Sequence, residues 1–253
     1  MAVVQKRNIK WYGFRRGHRD INDHEFKPKV MKLPQKVDLR PNCPPVMDQG
    51  QLGACTAHGI TGILRYNRIV TKKKDYPLSR LQLYYDERVI ENSISEDAGA
   101  EIRDGIKTAV KRGVGQEKYW PYNISKFADK PSSSVYRSAV SFNALEYLAV
   151  EVSIQGVKQA LASGFPVVMG FDVYDSFESS KTSATGIVNM PKRGEQMLGG
   201  HCVYLVGYGQ MNGYVTARNS WNTDWGDKGD FYFPDAMFDP RYMSDFWIVR
   251  GTG

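Results

Sequence analysis

The sequence predicts an α+β protein of two lobes, one helical and one a β-sheet or barrel, with a cleft between them. Three observations predict it. Helical spacing of apolar residues dominates the first part of the chain, from about Ala54 onward. Short β-rich runs separated by Gly, Asn and Asp dominate from Pro166 onward. The 253 residues suffice for one large domain or two small lobes around a shared core.

Residues 1–35 are basic, carry scattered aromatics (Trp11, Tyr12, Phe14) and show no sustained period, which reads as an extended arm. Residues 1–40 hold eleven Lys/Arg against four acids, the whole net charge of +7, so the remainder is neutral. A basic arm on a neutral body hints at an acidic partner, but a solvated extension is the plainer reading, so nucleic acid is not expected except through the arm. A Pro-bounded stretch from Pro34 to Pro45 follows, anchored by Val37, Leu39 and Val46. Ala54 to Val70, with Ile60, Ile63, Leu64 and Ile69, suits a helix buried on most sides, Gly59 and Gly62 allowing close packing. Ser79–Asn92 reads as a second helix with Leu81, Leu83, Tyr84 and Val89 inward. Ala100–Arg112 is a third, closed by Gly113. Gly115–Ser134 is expected to be loop, and Ile154–Ser163 a short helix. The strand-like runs are Pro166–Phe171, Cys202–Tyr208, Tyr214–Asn219 and Asp230–Phe233.

No apolar run is long enough to span a membrane, and the start of the sequence has no apolar export core. Three cysteines are too few for a disulfide framework, which points to a reducing intracellular compartment, with virion packaging or leaderless export left open. Cys55, Cys202 and His201 lack metal-ligand spacing and no acidic cluster accompanies them, so neither metal nor cofactor is expected. A monomer is the expected state.

Three segments carry chemistry. Asp48-Gln49-Gly50-Gln51-Leu52-Gly53-Ala54-Cys55 is a glycine-rich turn that delivers a cysteine onto the first turn of a buried helix. Unpaired N–H groups and the positive helix end favour a thiolate there. Gln49 could donate its amide to a developing oxyanion beside the Cys55 N–H; otherwise it is a turn residue bonding backbone. In Gly199-Gly200-His201-Cys202-Val203, His201 is expected at a strand's start, facing a cleft, while Cys202 faces away into the core. In Arg218-Asn219-Ser220-Trp221, Asn219 could accept the second imidazole N–H while Trp221 shields that bond from water. His58, three residues after Cys55, is a rival base, but it would lie one turn deeper in the helix.

Together these segments resemble the signature of the papain-like (cathepsin-type) cysteine peptidases, in the same Cys–His–Asn order. Val37-Asp38-Leu39-Arg40, Gly113-Val114 and Trp120-Pro121-Tyr122 extend the similarity over most of the chain. The resemblance implies a papain-like two-lobe fold over residues 36–253 and a cysteine-type endopeptidase acting on polypeptides. Cys55 would be nucleophile, His201 base then acid, Asn219 orienter and Gln49 oxyanion donor. Gly99 would hydrogen-bond substrate backbone, Gly200 would leave room for it, and Trp221 would support the dyad. Residues 1–35 would be a basic arm or a short propeptide crossing the cleft. Leu52 stands where a family disulfide cysteine is common, Thr56 where an aromatic is usual, Ala100 for a second glycine and Asn222 for a glycine. A papain-fold amidase or acyltransferase and a catalytically silent scaffold are the alternatives.

Overall fold

The interior helix α1 (Cys55–Val70) joins two bodies of structure in this computed structural model, which describes residues 12–18, 20–28, 32–139 and 146–251. Every α1 residue from Cys55 to Arg68 is buried, which requires a face small enough to lie flat on a sheet. Gly59 and Gly62 supply it: added Cβ atoms would lie 3.0 Å from Val168 and 2.6 Å from the Tyr204 ring. α2 (Arg80–Ile90) is capped by the Ser79 hydroxyl, and α3 (Ile102–Arg112) ends at Gly113, whose φ of 73° favours glycine. α1, α2 and α3 bury Ile60, Leu64, Leu81, Leu83, Ile102 and Ile106 together, the first core.

The second core is the sheet lobe, where Met169, Leu205, Phe231, Phe233 and Phe246 pack with Leu161. Its strands are β5 (Val167–Tyr174), β6 (Met197–Tyr208), β7 (Tyr214–Arg218), β8 (Asp230–Pro234) and β9 (Met243–Arg250), with β4 (Glu146–Ala149) at the margin. Among the described residues the sheet runs β3-β1-β6-β5-β9-β4, where β1 is Phe14–Arg15 and β3 is Ala100–Glu101, with β7 and β8 branching from β6 and β2 (Val37–Asp38) also on it. The short helices α4 (Ser133–Ala139), α5 (Ile154–Ala162) and α6 (Ser180–Thr185) complete the chain. Among the described residues no helix is long and apolar enough to cross a membrane.

Several boundaries differ from expectation. β6 begins at Met197, not Cys202, so His201 lies within a twelve-residue strand and not at its start. Met197–Gly200 carries two glycines and little β-propensity; it is held by pairing with the end of β5, as in Phe171↔His201 and Asp172↔Gly200. That pairing also carries β5 past Phe171. β9 is not among the strand-like runs named above, although Phe246-Trp247-Ile248-Val249 has strong β-propensity; Asp245, at φ 57°, sits just before that run. The described part of the arm pairs with both lobes. β1 lies parallel to β3 and antiparallel to β6 at Phe14↔Gly200, bridging the lobes.

Candidate active site

The turn before α1 is fixed by its own polar groups. The Gly50 N–H donates to Asp48 Oδ1 at 2.9 Å, the Gly53 N–H to Asp97 Oδ1 at 3.0 Å, and the Gln49 N–H to the Ser220 carbonyl at 2.9 Å. No side chain caps α1, so the N–H groups of its first turn are left for whatever the Cys55 side of the cleft receives. Cys55 itself has no exposed surface. Burial pushes its thiol up to about 12, while N–H groups of Cys202, Thr56 and Cys55 itself pull the other way.

His201 is also buried. Its Nε2 lies 2.8 Å from Asn219 Oδ1; the amide oxygen can only accept, so Nε2 carries the proton and Nδ1 is left as the basic nitrogen. Asn219 follows β7, and its Oδ1 also takes the Ser220 N–H at 2.8 Å. Trp221 stacks on the imidazole with centroids 4.8 Å apart and planes at 26°, and Phe171 meets it edge-on at 5.7 Å. The His–Asn bond is thus enclosed by aromatic carbon, where it is stronger than in water.

Gln49 is 2% exposed and anchored at both ends of its amide. Nε2 donates to the Leu52 carbonyl at 2.9 Å, and Oε1 accepts from the Ser220 hydroxyl at 2.6 Å. One amide N–H is committed to backbone, and the second is left for an incoming oxygen. His58 is taken up elsewhere. Its Nδ1 is 2.8 Å from the Ala54 carbonyl and its Nε2 3.0 Å from Arg80 Nη1, and burial with the Arg80 charge lowers it to about 3. Cys202 points at Gly59 of α1, as core.

The arm runs straight through this place. Ala100 N–H donates to the Gly13 carbonyl at 2.8 Å, whereas the Gly99 N–H goes to the Tyr84 hydroxyl at 3.1 Å, so the neighbour of Gly99 makes the backbone contact. Gly99, at φ 71°, instead provides clearance: a Cβ there would fall 2.3 Å from the Gly13 carbonyl oxygen. Gly13 passes Gly53 so closely that its own added Cβ would be 1.8 Å from the Gly53 oxygen. Gly200 makes room for Phe14 in the same way, at 2.4 Å from its carbonyl oxygen. The Phe14 ring, 4% exposed, lies over Gly170, and Tyr12 reaches the His201 ring edge-on at 6.3 Å while its hydroxyl donates to Glu178. Gly13 and Gly170 escape a sequence reading, since an isolated glycine acquires meaning only from the backbone beside it. Trp11 lies outside the described residues.

Comparison with known proteins places these residues in context. The papain family cysteine protease model matches residues 33–236. An uncharacterised peptidase C1-like protein of Acanthamoeba polyphaga mimivirus is 40% identical over 232 residues, covering 88% of this chain and 72% of that protein. Cathepsin B of Dictyostelium discoideum is 25% identical over 234 residues, covering 81% and 71%. Among solved structures, xylellain, a cysteine protease from Xylella fastidiosa, matches with a TM-score of 0.91 at 34% identity over 98% of both chains. Digestive procathepsin L 3 of Tenebrio molitor larval midgut shares the fold, with a TM-score of 0.73 at 18% identity over 96% of this chain and 78% of the other.

Proposed function

Because the chain belongs to the papain family of cysteine proteases, we propose that it hydrolyses peptide bonds as an endopeptidase, through Cys55, His201, Asn219 and Gln49. The observation that carries this reading is the buried His201–Asn219 bond beneath Trp221, together with Cys55 buried as the first residue of α1. His201 Nδ1 takes the Cys55 proton, and the thiolate adds to the scissile carbonyl. The Cys55 N–H and the second Gln49 amide N–H stabilise the oxyanion. The imidazolium then protonates the leaving amine, giving a thioester; water, deprotonated by His201, hydrolyses it and releases the thiol. Asn219 keeps the ring in the one tautomer and plane that serve both transfers. Cys55→Ala should abolish hydrolysis of a peptide library measured by mass spectrometry, and a full residual rate in that variant would refute the assignment. Asn219→Ala should lower kcat by about 10² through misorientation of the ring, with KM little changed.

The second part of the proposal concerns residues 1–35 as an inhibitory arm. It is supported by the described part of the arm, which occupies the cleft against Gly53, Gly99, Ala100 and Gly200 and leaves Cys55 and His201 without solvent access. Truncating a buried Phe costs about 3–5 kcal/mol. Phe14→Ala should therefore hasten alkylation of Cys55 by an epoxide-type thiol reagent by at least about 10²-fold, where opening limits the rate. An unchanged labelling rate would argue for a structural or targeting arm. The three cysteines are all free, which supports a reducing intracellular compartment.

A further inference from the structure

Beyond the aromatic ring of Phe14, the arm places a charged side chain against the sheet lobe. Arg16 spreads all three guanidinium nitrogens over fixed acceptors. Nη2 donates to Asp172 Oδ2 at 2.8 Å and to the Arg241 carbonyl at 3.3 Å, Nε to Asp172 Oδ1 at 3.4 Å, and Nη1 to the Pro240 carbonyl at 3.0 Å. The host is more rigid than the guest: the Asp172 side chain is 12% exposed and that of Arg16 42%. Asp172 lies in β5 between β6 and β9, and its N–H donates to the Tyr242 carbonyl at 2.8 Å, next to the two acceptor carbonyls.

We propose that Asp172, with the carbonyls of Pro240 and Arg241, forms a guanidinium subsite. It selects an arginine side chain two positions from the residue seated over Gly170 in peptides that this cleft takes. The proposal rests on the peptide-binding reading above and adds a substrate class to it. Three observations carry it. Among the described residues Arg16 is the one cation paired with Asp172. Departure of the arm would remove that counter-charge and leave the carboxylate open to an incoming cation. Phe14 and Arg16 are alternate residues on one side of an extended segment, while Arg15 between them pairs with Glu91. That i, i+2 relation survives reversal of chain direction, so a peptide bound with either polarity can present the same pair. Finally, the acceptors are matched to a planar fork. A lysine ammonium could reach the carboxylate but could not serve three separated acceptors in one plane.

The test uses the full chain carrying Cys55→Ala, Phe14→Ala and Arg16→Ala, which vacates both positions of the arm and removes turnover. Fluorescence anisotropy would compare labelled Ala-Arg-Ala-Phe-Ala and Ala-Phe-Ala-Arg-Ala with versions having Lys or Gln in place of Arg. The better-bound arginine peptide should exceed its Gln and Lys counterparts by about tenfold or more, the worth of a charge-assisted pair. Adding Asp172→Asn should erase that margin. Equal binding of Arg and Gln peptides, or a margin that survives Asp172→Asn, overturns the subsite while leaving proteolysis standing. Binding of no peptide, together with no cleavage by the unaltered chain, counts against the peptidase reading and removes the subsite with it. A second measurement guards against misfolding of the multiple variant. In the otherwise unaltered chain, Asp172→Asn should lower kcat/KM about tenfold for library peptides with arginine at that one position relative to those without. A uniform change across the library would mark Asp172 as a latch for the arm and overturn the proposal.

Discussion

Glu87 lies fully buried beneath the first turn of α1, where its Oε2 accepts the Thr56 hydroxyl at 2.8 Å. Burial is the main cause that raises its carboxyl to about 8. An acid whose folded-state pKa is raised stabilises the fold fully only below its unfolded value, about 4.3. That contribution falls as pH rises through the window up to about 8, because the unfolded chain is free to ionise first. Glu87→Gln should therefore be close to neutral near pH 4 and gain on the wild type as pH rises to 8, by a few kcal/mol at most. Urea melts at pH 4.5, 6.5 and 8.5 would check it, and a pH-independent difference would remove the assignment. At this scale the sequence was informative where residues come in patterned company. Cys55, His201 and Asn219 stand out as candidates because of their glycine-rich and Trp-containing neighbours. Asp172 and Glu87 were not, because a single acidic residue in a strand or helix looks the same whether it meets an arginine, a threonine or water.

Among the elements, β1 shows what periodicity cannot reach. Two paired residues are too few for any period, and both partners, Ala100 and Gly200, lie more than eighty residues away. α3 was legible because burial repeats every three or four residues along it, at Ile102, Gly105, Ile106 and Ala109, whereas α1 is buried throughout and was legible from the spacing of its apolar residues. The first half of β6 was hidden by consecutive glycines. Gly170 gives this scale its own test. A Cβ there would fall 2.0 Å from Phe14 Cζ, so Gly170→Val should expel the ring and speed alkylation of Cys55. If the arm instead stays and strains, the same change should lower stability by about 1–3 kcal/mol with labelling unaltered. Thermal melts and labelling rates measured together separate the two results.

For the whole molecule, composition was enough to separate a charged arm from a neutral body, and order along the chain was enough to separate a helical lobe from a sheet lobe. What it could not supply was their relation, since the arm's basic residues meet acids contributed by both lobes. Arg15 pairs with Glu91 of the helical lobe and Arg16 with Asp172 of the sheet lobe. The arginines of both pairs are about half exposed, so dissolved salt should weaken them, with a screening length of about 10 Å at 0.1 M. Raising ionic strength from about 0.05 to 0.5 M should accelerate Cys55 alkylation by roughly threefold or more, given the modest worth of such pairs. A rate insensitive to salt would place the grip of the arm in its apolar and backbone contacts alone.

The passage of Gly13 between Gly53 and Gly99 has a consequence for pharmacology. On the proposed reading of the arm as inhibitory, a compound aimed at the sulfur competes with a tethered rival whose local concentration is on the order of millimolar. Its measured affinity is diluted by the fraction of molecules that happen to be open. Screens on the resting chain will therefore under-report potency by one common factor while preserving rank, and weak hits there merit a second assay on a loosened variant.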